Sequence, residues 1–139
     1  MRLVALFLFL CIGISSFAQE DTVSFSKVDI PPRYRDCSAS SIEQETLCTQ
    51  KSVEAFAKQK FNTGLFKNLN LNEKRIRVYA QFIIDQNGGI KDIKVRTPHP
   101  QLQKETKRVL ELLPSFIPGK HDNQPVNTTY TLPLVFILG

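Results

Sequence analysis

Tryptophan is absent from this sequence, and histidine occurs only at His99 and His121. Both histidines fall in turn-like segments without acidic or cysteine partners at ligand spacing, so they are expected as solvated loop residues and no metal ligand set is argued. No glycine-rich phosphate loop and no nucleophile motif occurs. Asp85 and Asp92 flank the stretch Gln86-Asn87-Gly88-Gly89, where aspartates form turns more often than acid/base pairs. The sequence therefore argues for no catalytic residue, no cofactor and no enzyme. Long apolar runs are also missing after residue 18, so nothing in that part can span a bilayer. Low-complexity tracts are lacking too, and 139 residues that are 42% hydrophobic and 22% charged have the composition of one globular domain with appendages.

The apolar run that is present stands at the start. Arg2 precedes a stretch from Leu3 to Ile14, and Ser16-Phe17-Ala18 follows as a small-x-small cleavage site. This is the pattern of a secretory signal covering residues 1–18, too short to be a membrane span. Its removal takes away one positive charge and leaves about +4 of the formal +5. Cys11 leaves with it, and Phe9 and Leu10 before that cysteine do not fit a lipid-attachment site. Cys37 and Cys48 remain, an even pair in an exported chain, for which a disulfide is the expected state. A redox-active pair would place its cysteines within one turn at a helix start.

After a linker at residues 19–36, broken by Pro31-Pro32, the domain is expected over 37–139. Residues 41–64 put Val53, Phe56, Ala57 and Phe61 at helical spacing, with Ser41 as cap and Gly64 as stop. Residues 74–85 alternate, with Ile76, Val78, Ala80, Phe82 and Ile84 on one face and Arg75, Arg77, Tyr79 and Gln81 on the other, which predicts a half-buried strand. Asn87, Gly88 and Gly89 turn the chain into a second strand from Ile90. Ile90 and Ile93 can share a face there only across a bulge near Lys91-Asp92. A second helix over 100–114 carries Leu102, Thr106, Val109 and Leu113 and ends at Pro114. A third strand follows, with Val126, Thr128, Tyr130, Leu132, Leu134 and Phe136 on its inner face. The expected fold is α+β, a two-layer sandwich of a three-stranded antiparallel sheet with two helices on one face.

The net positive charge could suggest nucleic acid, but the cations are spread over a strand face and a helix without interleaved aromatics, in an exported chain. They are expected as a mostly solvated surface with some attraction for acidic or membrane-proximal partners. No nucleic-acid partner is expected.

Three ordered segments, FIIDQNGGI (82–90), LQKETKRVLELLPSFIPGK (102–120) and QPVNTTYTLPLVF (124–136), resemble the C-terminal domain of TonB in the form found in Bacteroidetes. The upstream cysteine pair and the helix ending AKQKFN are similar to that subgroup. The resemblance implies a periplasmic module that grips a short peptide of an outer-membrane receptor in TonB-dependent transport. A cleavable signal in place of an anchor, and no long Pro/Lys spacer, would leave the gripping end without the energy-coupling half.

Pro133 has no N–H, so in an antiparallel strand its lateral side, shared with Asn127, Thr129 and Thr131, is the side best left unpaired. These four residues are the candidate partner-binding edge, used by strand addition. The partner would be an outer-membrane TonB-dependent receptor or another envelope protein. The alternative is an accessory or structural envelope domain that forms a homodimer through the same edge without transport coupling. Intact-mass and N-terminal analysis of protein recovered from the native host should give a soluble chain starting at or near Gln19, and recovery of residues 1–18 in the membrane fraction would refute the signal assignment.

Overall fold

A computed structural model of the chain describes residues 21–69, 71 and 73–138. The expected signal segment and Cys11 lie outside the described residues. In chain order the elements are β1 (Thr22–Ser24), α1 (Ile42–Lys60), α2 (Gly64–Asn68), β2 (Arg75–Ile84), β3 (Ile90–Arg96), α3 (Pro100–Glu111), β4 (Gly119–His121) and β5 (Gln124–Ile137). The α+β class agrees with the sequence. The counts do not: among the described residues, five strands and three helices replace the expected three and two. The strand order is β1-β5-β2-β3, with β4 paired to β5, and the β1–β5 pairing is parallel, so the sheet is mixed. The additions are three-residue strands and a five-residue helix, too short for a period to show. None of the described helices is long and apolar enough to cross a membrane.

The centre of the sheet is the antiparallel pair β2–β5, in unbroken register from Arg75 opposite Ile137 to Ile84 opposite Thr128. The alternation read from sequence is borne out: Ile76, Val78, Ala80, Phe82 and Ile84 are buried, facing the same layer as Tyr130, Leu132, Leu134 and Phe136. Helices α1 and α3 cover this face with Val53, Ala57, Leu102, Thr106, Val109 and Leu110. Each large aliphatic or phenyl side chain buried here contributes about 1.5–3 kcal/mol.

Ser41 caps α1, its hydroxyl accepting from the Gln44 amide at 3.2 Å. The helix does not run to a glycine stop. It ends at Lys60 because Phe61, in extended backbone, turns inward against Phe66 and Phe136 at ring-centroid distances of 5.6 and 4.7 Å. Gly64 instead opens α2. Glu105 accepts from the Asn62 amide, and Arg108, paired with Glu105, donates to the Lys60 carbonyl, tying the end of α1 to α3. The hydrogen bond from Arg108 to Glu105 holds the Glu105 carboxyl below its usual range.

Within residues 19–36, expected as a linker, the described residues run against the domain. Ile30 bridges to Lys120 and Arg33 to Ile117, while Tyr34 sets its ring edge-on to Phe116. The Cys37–Cys48 disulfide then joins this segment to α1 across a sequence separation of 11 residues. Closing a loop of that size stabilises by about 3 kcal/mol in the chain-entropy account.

The hairpin between β2 and β3 is built on its glycines and on Asp85. The Asp85 carboxylate accepts from the Asn87 and Gly89 amides at 2.8 and 3.0 Å, the turn-forming role the sequence suggested. The register slips between Gln81 and Ile83, with Asp92 at φ 53°, which is the bulge demanded by Ile90 and Ile93. Gly88 has φ 84°, and a Cβ there would stand 2.0 Å from the Phe116 carbonyl oxygen. Gly88→Ala is therefore expected to lower unfolding stability by about 2 kcal/mol or more, through backbone strain and loss of the Phe116 amide bond to the Gly88 carbonyl. Denaturant unfolding beside the wild type measures it, and a difference under about 0.5 kcal/mol would show that the turn relaxes freely.

Candidate partner-binding edge

β5 is long because its inner residues continue the core while its outer ones are β-branched or otherwise uncharged. Pro133 lies opposite Tyr79 in the middle of the unbroken β2 register. A proline cannot donate to a ladder, so the register is kept only if the Pro133 nitrogen points away from β2. By alternation, the backbone groups of Asn127, Thr129 and Thr131 point the same way.

The four candidate residues divide in two. Over the first part the edge is occupied: Thr22 is the partner of Asn127 and Ser24 of Thr129, in the parallel pairing with β1. Asn127 is 4% exposed, and its side-chain oxygen accepts from the Gln86 amide at 3.0 Å, so it serves the β2–β3 turn. Thr131 and Pro133 are exposed. From Thr131 to Ile137, β5 pairs only with β2 among the described residues, leaving that lateral side open. Sequence reasoning put the candidate edge on this side of β5, which is unpaired beyond Thr129 among the described residues, but missed β1, whose only signal is the short β-branched run at Thr22 and Val23.

The opposite edge of the sheet is unlike it. β3 pairs only with β2 among the described residues, but its ladder is broken by the bulge at Asp92. Bulges twist an edge away from regular pairing.

One of the two histidines differs from expectation. His99 precedes α3 at its N-cap position. His121 is not a free loop residue: its Nδ1 lies 3.4 Å from Asp29 and its Nε2 3.9 Å from Asp122, and Asp29 accepts from the Asp122 amide. The fold brings Asp29 there from the N-terminal segment, which no local spacing could reveal. The group fastens that segment to the β4–β5 turn. These three residues offer ligand atoms within 4.8 Å of one another. The two carboxylates approach different ring nitrogens rather than converging on one point.

Behind the edge, β5 is held from the inner face by Tyr130. Its ring stacks on Phe82 at 5.2 Å and meets Phe25, just after β1, edge-on at 5.6 Å. Among the described residues its hydroxyl has no hydrogen-bond partner, and burial pushes the phenol up to about 12.

The fold and edge define a helix-backed α+β domain that presents one straight, open strand edge, a class suited to protein interaction. Residues 72–138 match the family described as Gram-negative bacterial TonB protein C-terminal, and over that span the chain belongs to the TonB C-terminal domain family. No curated protein matches the chain. TonB C-terminal domains are non-enzymatic, periplasmic protein-interaction modules, and their partners are envelope or receptor proteins.

Because the raised Tyr130 value favours the neutral phenol in the fold, its stabilisation is complete below the ordinary value near 10 and is lost as pH rises through about 12. Melting temperatures between pH 9 and 12 should fall more steeply for the wild type than for Tyr130→Phe, and parallel curves would show that this phenol does not govern alkaline unfolding.

Proposed function

We propose that the chain captures an extended peptide of an outer-membrane receptor, or of a related envelope protein, by adding it as a strand to β5 in TonB-dependent transport. The observation that carries this reading is the open side of β5 over Thr131–Ile137, beside a ladder that is regular on its other side. Main-chain groups on such an edge supply affinity, and side chains of alternate residues supply selectivity. Pro133 removes one donor from the edge and leaves the carbonyls and the flanking amides of Thr131 and Val135. It also lowers the tendency of the edge to pair indiscriminately.

Ile137, 77% exposed at the end of the same edge, favours a second use: pairing of two copies edge to edge. Sedimentation across a range of concentrations, with and without peptide, separates the two, since a dimer through this edge would compete with peptide.

Thr131→Pro should abolish binding of receptor-derived peptides while costing less than about 1 kcal/mol, because the lost N–H faces the open side. Leu132→Pro, one residue along, removes a group directed at β2 and should cost about 3 kcal/mol or more. Equal destabilisation by both would mean that the open side is misassigned. A stable Thr131→Pro protein that still binds peptide would remove strand addition at this edge.

A further inference from the structure

The face of the sheet turned away from the helices has one sign of charge along its centre. Arg75 stands beside Ile137, Arg77 beside Val135, Tyr79 beside Pro133 and Gln81 beside Thr131. Arg96 and Lys94 extend the last two rows onto β3. No outward position of β2 or β5 holds a carboxylate, and the one acid in β3 is Asp92, in the bulge. Among the described residues, Arg75, Arg77, Lys94 and Arg96 have no ion-pair partner. The cations therefore project a positive potential that, within these three strands, only Asp92 beside Lys94 offsets.

The side chains between these cations and the open edge are short or apolar. Thr131, Pro133, Val135 and Ile137 are the outward residues of β5 along the open edge, and none is charged. Neighbouring strands lie about 4.8 Å apart, so a strand added outside β5 would run roughly 10 Å from β2. An arginine on β2 can lay its stem across a valine and carry its guanidinium to that line. Arg77, whose neighbour on β5 is Val135, is placed to do so. Arg75 has the larger Ile137 in its way, while Arg96 and Lys94 stand one strand further back and add to the field without contact.

On the strand-capture reading just given, we infer that the captured strand is acidic on its outward face. It presents a carboxylate at the position paired with Val135, where Arg77 grips it, and an apolar side chain at the position paired with Pro133, against Tyr79. Tyr79 is 46% exposed and flanked by Pro133 and Arg96, which suits it to hold such a side chain. Arginine at this position matches a carboxylate with two parallel N–H donors, which a lysine cannot do. A second copy of the chain fits poorly here, since its outward face would bring like charges together.

The test uses the purified protein and two end-capped strand peptides with threonine at every second position, the residues between alternating valine with glutamate in one and valine with lysine in the other, so that one face carries both side-chain types. The glutamate peptide should bind about tenfold more tightly at low salt, and the preference should shrink at high salt. Arg77→Glu should invert the preference, and Arg77→Lys should retain its sign but weaken it. Thr131→Pro should abolish binding of both peptides. Equal affinity for the two peptides, with both still lost in Thr131→Pro, would overturn the acidic-strand inference and leave strand capture standing. Glutamate-peptide binding that survives Thr131→Pro would overturn strand capture, and with it the placement of the carboxylate. An unchanged preference in Arg77→Glu would overturn the role given to Arg77. Absence of any peptide preference, together with binding to phosphatidylglycerol vesicles that Arg77→Glu abolishes, would assign the face to a lipid surface and overturn the inference.

Discussion

The β2–β5 ladder is the constraint from which the rest of the molecule follows. Its unbroken register fixes which side chains of two strands face the helices and which face outward, because a slip of one residue would exchange the two faces of a strand. It sets Phe82 against Tyr130 and brings Phe136 within reach of Phe61 and Phe66. The same register lines up Arg77 with Val135 and Tyr79 with Pro133 on the other side of the sheet. A proline is accommodated within this ladder only because its nitrogen can point outward, so the inner packing and the open edge are consequences of one arrangement.

The two lateral edges of the sheet show how that arrangement is kept from unrestricted pairing. On β3, the left-handed Asp92 and the bulge disturb the spacing that another strand would need. On β5 the disturbance is smaller: one missing donor at Pro133, and a short strand of the chain itself lying over the first part of the edge. A sheet with one protected edge and one partly guarded edge leaves a single side fit for any added strand.

Much of the fold was legible in the sequence where a period repeats enough to be read. The alternation from Ile76 to Ile84 marks β2, and the three-residue spacing of Ile90 and Ile93 marks the bulge. The cysteine pair was legible by parity and compartment, and Asp85 by its place beside Asn-Gly-Gly. What escaped was non-local. β1 is three residues long and pairs with a strand from the far end of the chain, and Asp29 meets His121 only through the fold. The end of α1 was misplaced by a different cause: Gly64 looks like a helix stop, but Phe61 leaves the helix earlier to bury its ring against Phe136. Of the candidate edge, Thr131 and Pro133 were legible as outward-facing, whereas the burial of Asn127 and the pairing of Thr129 depend on neighbours that sequence spacing does not identify.

The position of β1 has a consequence for length. It runs parallel to β5 and ends at Ser24, opposite Thr129, after which the chain turns away. The open side then runs from Thr131 to Ile137, a span of about 23 Å at roughly 3.3 Å per residue. The chain's own N-terminal strand thus serves as a ruler. It marks the zero of the scale, and the end of β5 marks the other limit, so under the proposed strand capture a longer partner would either leave its excess unpaired or compete with β1 for Asn127 and Thr129.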